Sequence, residues 1–244
     1  MEKDQSNWAF FDFDDTISQG DSILWWNRYL YQKHFSLRLY GILHLLLLPL
    51  VAFKLMSKMT FKRFLLLPAG NLSKDKRTAY AEDFLKNHLQ NQFYPEVLEI
   101  LKKHKADGFK VAVLSASADF YLLSLPQLLP IDHFRATKMS YPEEGGWFHL
   151  PNFEEPNFKA QKKVEYLESS SEFKGGDKNS FGYSDHHSDH FLLEYAETGV
   201  CINPNKKLAA MAKEKGWEIL IPKAVENSFL TKLSKLRLFL FGWI

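Results

Sequence analysis

Two aspartates, Asp12 and Asp14 in Phe10-Phe11-Asp12-Phe13-Asp14-Asp15-Thr16, are the side chains of this sequence best placed to do chemistry. In an extended segment, residues two apart face the same side. One carboxylate can therefore attack an electrophile while the other carries a proton. A nucleophilic carboxylate divides one difficult displacement into two easier ones. Its companion must begin neutral to act as an acid, and a crowd of like charges favours that state.

A second acidic run, Ser184-Asp185-His186-His187-Ser188-Asp189-His190, lies far downstream. Magnesium takes one or two carboxylates, several waters and a phosphate oxygen. The Asp12 side chain, the Asp14 carbonyl and Asp185 supply such a set, with Asp189 orienting a bound water or a lysine. The histidines of the same run invite zinc instead, but their spacing is irregular and no cysteine stands beside them. Between the acidic runs, Ser115 closes Lys110-Val-Ala-Val-Leu114 and can donate to a phosphate oxygen. The Ala116 amide assists where the chain turns into a helix, Ser117 is the alternative hydroxyl, and Thr16 would hold the first loop at the phosphate. A cation must offset this charge, and Lys159, Lys162 and Lys163 all stand in Phe158-Lys-Ala-Gln-Lys-Lys-Val-Glu-Tyr-Leu167.

These residues need a frame. Trp8 to Phe13 is a dense apolar run and reads as a buried parallel strand. From Asp21 to about Leu101 the apolar period is helical, and Asp107-Gly108 stops it before a second strand at 110–114. Residues 134–141 and 147–150 flank Pro142-Glu-Glu-Gly-Gly146 as the arms of a hairpin. Further strands are expected at 180–183, 199–202 and 217–221, with helices at 159–167, 191–197 and 208–215. This alternation predicts an α/β fold, a Rossmann-like parallel sheet with an inserted helical cap. Residues 1–18 and 102–222 form the core, 19–101 the cap, and 223–244 a basic amphipathic tail. Ligands of open parallel sheets bind beyond the carboxyl ends of the strands, where Asp12, Ser115 and Asp185 all fall.

The bulk numbers describe an ordinary globular chain. Its 244 residues carry a formal charge of +2, too small to argue for nucleic acid, and a single cysteine, Cys201, which excludes an internal disulfide framework. The first residues are polar, so the reading is cytoplasmic. One stretch pulls against it. Residues 39–53 are uncharged and strongly apolar, closed by Arg38 and Lys54 and interrupted by Pro49. They are shorter than the ~20 residues of a spanning helix, which leaves a buried or paired helix, or contact with a membrane surface. The tail at 229–244, with Lys232, Lys235 and Arg237 beside leucines, suits the inner face of an anionic membrane.

The acidic motifs, the serine-ended strand and the lysine, in that order, resemble the haloacid dehalogenase superfamily, in its phosphoserine-phosphatase-like branch (subfamily IB) with a helical C1 cap. The resemblance runs from Trp8 to about Ile221 and includes Asn203-Pro204-Asn205-Lys206-Lys207-Leu208. Ala116 departs from the glycine usual there. The resemblance selects Lys163, just before a Val-x-x-Leu helix, with Lys162 as second choice. It implies a magnesium-dependent phosphomonoester hydrolase working through an aspartyl-phosphate. The apolar cap favours a lipid-linked phosphate such as phosphatidylglycerophosphate. A small polar phosphate, phosphoserine or histidinol phosphate, is the alternative. From other classes come a non-catalytic membrane- or partner-binding scaffold and a zinc module on the histidine run.

Overall fold

The computed structural model describes residues 7–223; the basic tail at 223–244 lies outside them but for Lys223. Six strands form one parallel sheet: β1 (Trp8–Phe11), β2 (Lys110–Ala118), β3 (His133–Thr137), β6 (Phe181–Ser184), β7 (Thr198–Ile202) and β8 (Glu218–Leu220). Two short antiparallel strands, β4 (Met139–Ser140) and β5 (Asn152–Phe153), stand apart. The order across the sheet is β3-β2-β1-β6-β7-β8. Counting parallel strands alone, this is the doubly wound order 3-2-1-4-5-6, which reverses direction between β1 and β6. Phe11 pairs there with Tyr183, and the Asp12 amide donates to the Tyr183 carbonyl at 2.9 Å. The first acidic loop and the second therefore leave the sheet side by side at its topological switch.

β1 is apolar throughout because both of its faces are covered. Ala9 and Phe11 point into one core with Val113 and Tyr183, where Phe11 stacks on Tyr183 at 4.2 Å. Trp8 and Phe10 point into another with Leu114, Leu167, Phe173 and Leu192. Each buried phenylalanine contributes roughly 1.5–3 kcal/mol, so the strand bearing Asp12 is anchored from both sides.

Between β1 and β2 come α1 (Ser22–Lys33), α2 (Arg38–Ala52), α3 (Lys58–Leu65), α4 (Leu67–Gly70), α5 (Lys74–Asn87) and α6 (Pro95–Ala106). Asp21 caps α1 by accepting the Ile23 amide at 3.0 Å. Trp26 of α1 packs on Phe84 of α5 and on Phe120 and Tyr121, just after β2, which ties the helical insert to the sheet domain. α6 packs against the sheet, with His104 bonded to the Tyr183 hydroxyl at 2.7 Å. It ends at Asp107, and Gly108 takes φ 85°, a value glycine adopts without steric cost. The remaining helices are α7 (Leu125–Leu128), α8 (Gln161–Ser169), α9 (His190–Tyr195) and α10 (Lys206–Lys215), the last capped by Asn205 and closed by left-handed Gly216.

Two expectations need correction. Residues 147–150 are not a hairpin arm: Met139 pairs with Phe153 and Ser140 with Asn152, around a long connection. That connection is held by the helical insert. Trp147 stacks on Tyr40 at 5.3 Å, Arg77 donates to the Pro142 carbonyl at 3.1 Å, and Gly145 lies so close to the backbone of Asn71 that a Cβ would fall 2.1 Å from its carbonyl oxygen. The apolar stretch at 39–53 is one helix running through Pro49. Its inner side is fixed by His44, which bonds the Phe64 carbonyl at 2.7 Å and which burial keeps neutral, with its pKa lowered to about 4. Its outer side, Leu39, Ile42, Leu46, Leu50 and Phe53, is exposed. Residues 35–52 are long and apolar enough to cross a membrane by composition.

Candidate active site

β1 ends in Asp12, and the chain turns sharply at Asp15, whose backbone is left-handed (φ 53°) and whose carboxylate accepts the Gly20 amide at 2.8 Å. This turn sets Asp14 beside α1 and β2. One Asp14 oxygen accepts the Ser22 amide at 2.7 Å, and the other accepts the Ser117 hydroxyl. Ser22 in turn donates to Ser117 at 3.0 Å and meets the Tyr121 hydroxyl at 3.1 Å. Asp14 is thus fixed by two elements that approach it from opposite ends of the insert.

Lys163 is the cation of the site. It is fully buried, and its Nζ donates to Asp12 Oδ1 at 2.7 Å and Asp189 Oδ2 at 2.6 Å. On α8 it shares a buried face with Leu167, four residues on. Lys162, one position round the helix, points outward to Glu165 at 2.6 Å. The helix is entered through Ala160 at φ 57°, an uncommon value for a residue with a Cβ, and the Ala160 amide donates to Asp189 Oδ1 at 3.1 Å. Such strain costs ~1–3 kcal/mol and persists where the surroundings impose it. Here Asp189 and Lys163 impose it.

The charges are arranged unequally. Burial would depress Lys163, but Asp12 and Asp189 outweigh it and hold the ammonium above its usual range. Burial alone would raise Asp189; the ion pair with Lys163 keeps it below the ordinary carboxylate value. Asp12 is pushed up to about 7, by burial first and by Asp189 and Asp14 after it, against the pull of Lys163. Asp185 is raised to about 9 by burial, then by Asp12, Asp15 and Asp189. Among the described residues no side chain forms a salt bridge with Asp185. A carboxylate in that position suits a bound cation.

Above these groups opens a cavity of about 480 Å³, with Asp12, Asp14, Asp185 and Asp189 in its floor. Its far wall is α3, through Lys58, Met59, Phe61, Lys62 and Leu65. Sequence reasoning did not single out Lys62, Asp21 or Asn157, which all line it, as does Lys159, one of the three candidate lysines. Lys62 donates to the Ala116 carbonyl and, at 2.8 Å, to Asn157 Oδ1. Burial lowers its pKa to about 8, against the pull of Asp21 and Asp14. The basic run 54–63 was the available signal, but nothing in its period says which lysine turns inward.

Not every expected residue reaches the cavity. Ala116 and Ser117 line it, whereas Ser115 lies fully buried behind them, its hydroxyl accepting the Ser117 amide at 3.0 Å. Thr16 is buried below the loop and lines no part of the cavity; its hydroxyl has no hydrogen-bond partner among the described residues. The histidines are engaged locally: His186 with Ser188, His187 with Asn205, His190 with the His187 carbonyl. No three His, Cys, Asp or Glu side chains among the described residues converge as a metal cage. That removes the basis for zinc, while magnesium needs only one or two carboxylates.

The family model for haloacid dehalogenase-like hydrolases matches residues 9–194, a span that includes Asp12, Lys163, Asp185 and Asp189. The chain belongs to that family. A curated relative, a histidinol-phosphatase of Neisseria meningitidis serogroup C (strain 8013), is 24% identical over 227 residues, covering 88% of this chain and 98% of the relative. A solved protein of unknown function from Bordetella pertussis Tohama I superposes with a TM-score of 0.74 at 20% identity, over 88% of this chain and 99% of its own. A probable phosphoserine phosphatase from Vibrio cholerae gives 0.65 at 14% identity, over 98% of this chain and 68% of its own. The expected Rossmann-like core and a hydrolase of phosphoric monoesters, of the phosphoserine-phosphatase-like form, are both upheld.

Proposed function

We propose that this haloacid dehalogenase-like hydrolase cleaves a small polar phosphate monoester through an aspartyl-phosphate on Asp12. The observation that carries the reading is Lys163, buried and bonded at once to Asp12 and Asp189 beneath the cavity floor. Asp12 attacks phosphorus, and the departing ester oxygen takes a proton from Asp14. Asp14 then removes a proton from the water that attacks the aspartyl-phosphate, releasing phosphate and restoring Asp12. Lys163 balances the charge on Asp12 and keeps Asp189 ionised. Positioning and charge neutralisation dominate such transfers. The Asp12 side chain, the Asp14 carbonyl and Asp185 would hold magnesium, which when bound there would offset the charge of the carboxylates and the phosphate.

The lipid-linked substrate drops behind the alternative. It rested on the apolar stretch of the insert, yet no residue of α2 lines the cavity, and charged side chains make up half of its lining residues. Asp21 is exposed in that wall and suits a cationic amine, which phosphoserine and histidinol phosphate both carry. The test is a screen of phospho-amino acids, amino-alcohol phosphates, sugar phosphates and lipid phosphates, with magnesium and in chelator. Turnover should be best on amine-bearing substrates and absent in chelator. Asp185→Asn should raise the magnesium needed for half-activation by roughly tenfold or more, the scale for losing one charged ligand. Full activity in chelator, or preference for a lipid phosphate, would overturn the reading.

The exposed face of α2 favours a second element of the proposal, reversible contact of this enzyme with an anionic membrane surface. Arg38 and Lys54 stand at the two ends of this helix, and residues 22–74 contain no acidic residue. A second copy of this face, or the basic tail, would be repelled by it. An anionic bilayer would be attracted, by ~1 kcal/mol per cation close to the surface. Flotation with phosphatidylserine vesicles should be salt-sensitive and should drop in Leu46→Glu. Equal flotation with neutral vesicles, or none at low salt, would dismiss it.

A further inference from the structure

Lys62 stands on α3 of the insert, yet it bonds the irregular last part of β2, where the register shifts between Leu114 and Ala118. Its Nζ donates to the Ala116 carbonyl and to Asn157 Oδ1 at 2.8 Å. Thr137 at the end of β3 braces the same pair, its hydroxyl lying 2.8 Å from the Ala116 carbonyl and 3.0 Å from Asn157 Oδ1. The Ala116 carbonyl and the Ser117 amide belong to one rigid peptide plane. That amide donates to the Ser115 hydroxyl at 3.0 Å, and the Ser117 side chain donates to Asp14. A contact made by the insert on one edge of the plane is therefore felt on its other edge.

We propose that Lys62 is a positioning residue through which the helical insert fixes the orientation of the β2 bulge at 115–117. With Lys62 in place, the Ala116 carbonyl is tied down from the side of the insert, and the Ser117 amide is turned onto Ser115 Oγ. Ser115 Oγ, buried behind the cavity wall, accepts that amide and so holds Ser117 at the wall with its hydroxyl on Asp14. With Lys62 withdrawn, only Thr137 holds the carbonyl, and the plane can rock. An ammonium has three donors. Two of them are used on Ala116 and Asn157, and the third is left for the cavity, where the substrate phosphate arrives. Without Lys62 the bulge is thus slack, and with it the bulge is ordered and has a cation beside it. This inference rests on the phosphatase reading of the site for its catalytic consequence but not for its wiring.

The neighbouring residue provides the control. Arg63, next on α3, bonds the Pro151 carbonyl at 2.7 Å and the Asn152 side chain. It tethers the same helix to the start of β5 without touching residues 115–117. Lys62→Met and Arg63→Met should both loosen α3. Only Lys62→Met should lose protection of the Ser117 amide in hydrogen exchange. In magnesium with p-nitrophenyl phosphate, Lys62→Met should lower kcat by about tenfold or more with a smaller change in KM, because a misaimed donor is missed most in the transition state. Arg63→Met should leave kcat within about threefold of wild type. Equal effects of the two substitutions on kcat and on Ser117 exchange would reduce Lys62 to a tether and overturn the coupling. Unchanged exchange at Ser117 in Lys62→Met would do the same. A folded wild-type protein inactive on every phosphate would sink the phosphatase reading, while the exchange comparison still decides the wiring.

Discussion

Asp12→Asn is expected to lower kcat by roughly a thousandfold or more, the scale for removing a catalytic nucleophile, while the protein folds at least as stably as the wild type. The two halves of the expectation have separate physical causes. An amide cannot form the acyl-phosphate, and no other carboxylate stands on Lys163 at the end of β1. The amide does, however, keep the shape of the side chain and an oxygen that accepts from Lys163 Nζ. Ionised Asp12 is costly to bury, as its pKa of about 7 records, with burial the leading cause. Removing that charge relieves the cost and leaves Lys163 paired with Asp189. Circular dichroism melting and steady-state turnover check both halves. Intact-mass analysis of acid-quenched reactions should find a phosphoryl adduct on the wild type and none on the variant. Retention of a tenth of wild-type turnover would mean that phosphate transfers directly to water.

The parts of the site legible in the sequence were those fixed by strand ends. Phe10-Phe11-Asp12 announces a strand buried on both faces that stops at a carboxylate, and chain order alone then places Asp185 on the strand beside it. Lys163 was legible only through resemblance, since composition treats three lysines of one run alike. What separates them is rotation about α8, which turns Lys163 inward with Leu167 and leaves Lys162 facing Glu165. Ser115 was expected to close a strand at 110–114, but β2 runs on to Ala118 and carries Ala116 and Ser117 to the cavity wall in front of it. Lys62 and Asp21 were missed because they act across the interface between insert and core, and no local period encodes which face of a short helix will meet a distant strand. The hairpin at 142–146 failed for the same reason. Of the glycines that signal a turn there, Gly145 is used for close approach to the backbone of 71–73 and Gly146 for contact with the His149 ring.

Lys163→Met should be the most damaging single change to stability in this site. Methionine fills a similar volume, so the loss is electrical. Asp12 and Asp189 would be left buried without their cation, and stripping one partner from a buried ion pair costs about 3–5 kcal/mol. For a domain of this size that is a fall in Tm of roughly 6–20 °C. The pH dependence identifies the cause. In the wild type, the folded pKa of Lys163 lies above its unfolded value of about 10.4. Its contribution is therefore complete at neutral pH and is lost only as pH rises through the folded value. Asp189, depressed below its unfolded value of about 3.9, contributes above that pH and loses its contribution as pH falls through the folded value. In the variant the pull of Lys163 is gone, and burial raises both carboxylates above their unfolded values. Protonation then favours the folded state, so the deficit against wild type is greatest near pH 7–8 and shrinks as pH falls toward about 5. Adding Asp12→Asn to Lys163→Met should recover part of the loss at pH 7, because one of the two stranded charges is gone. A deficit that is flat from pH 5 to 8 and untouched by Asp12→Asn would mean that Lys163 contributes packing alone, and that the charge balance assigned to it beneath Asp12 is wrong.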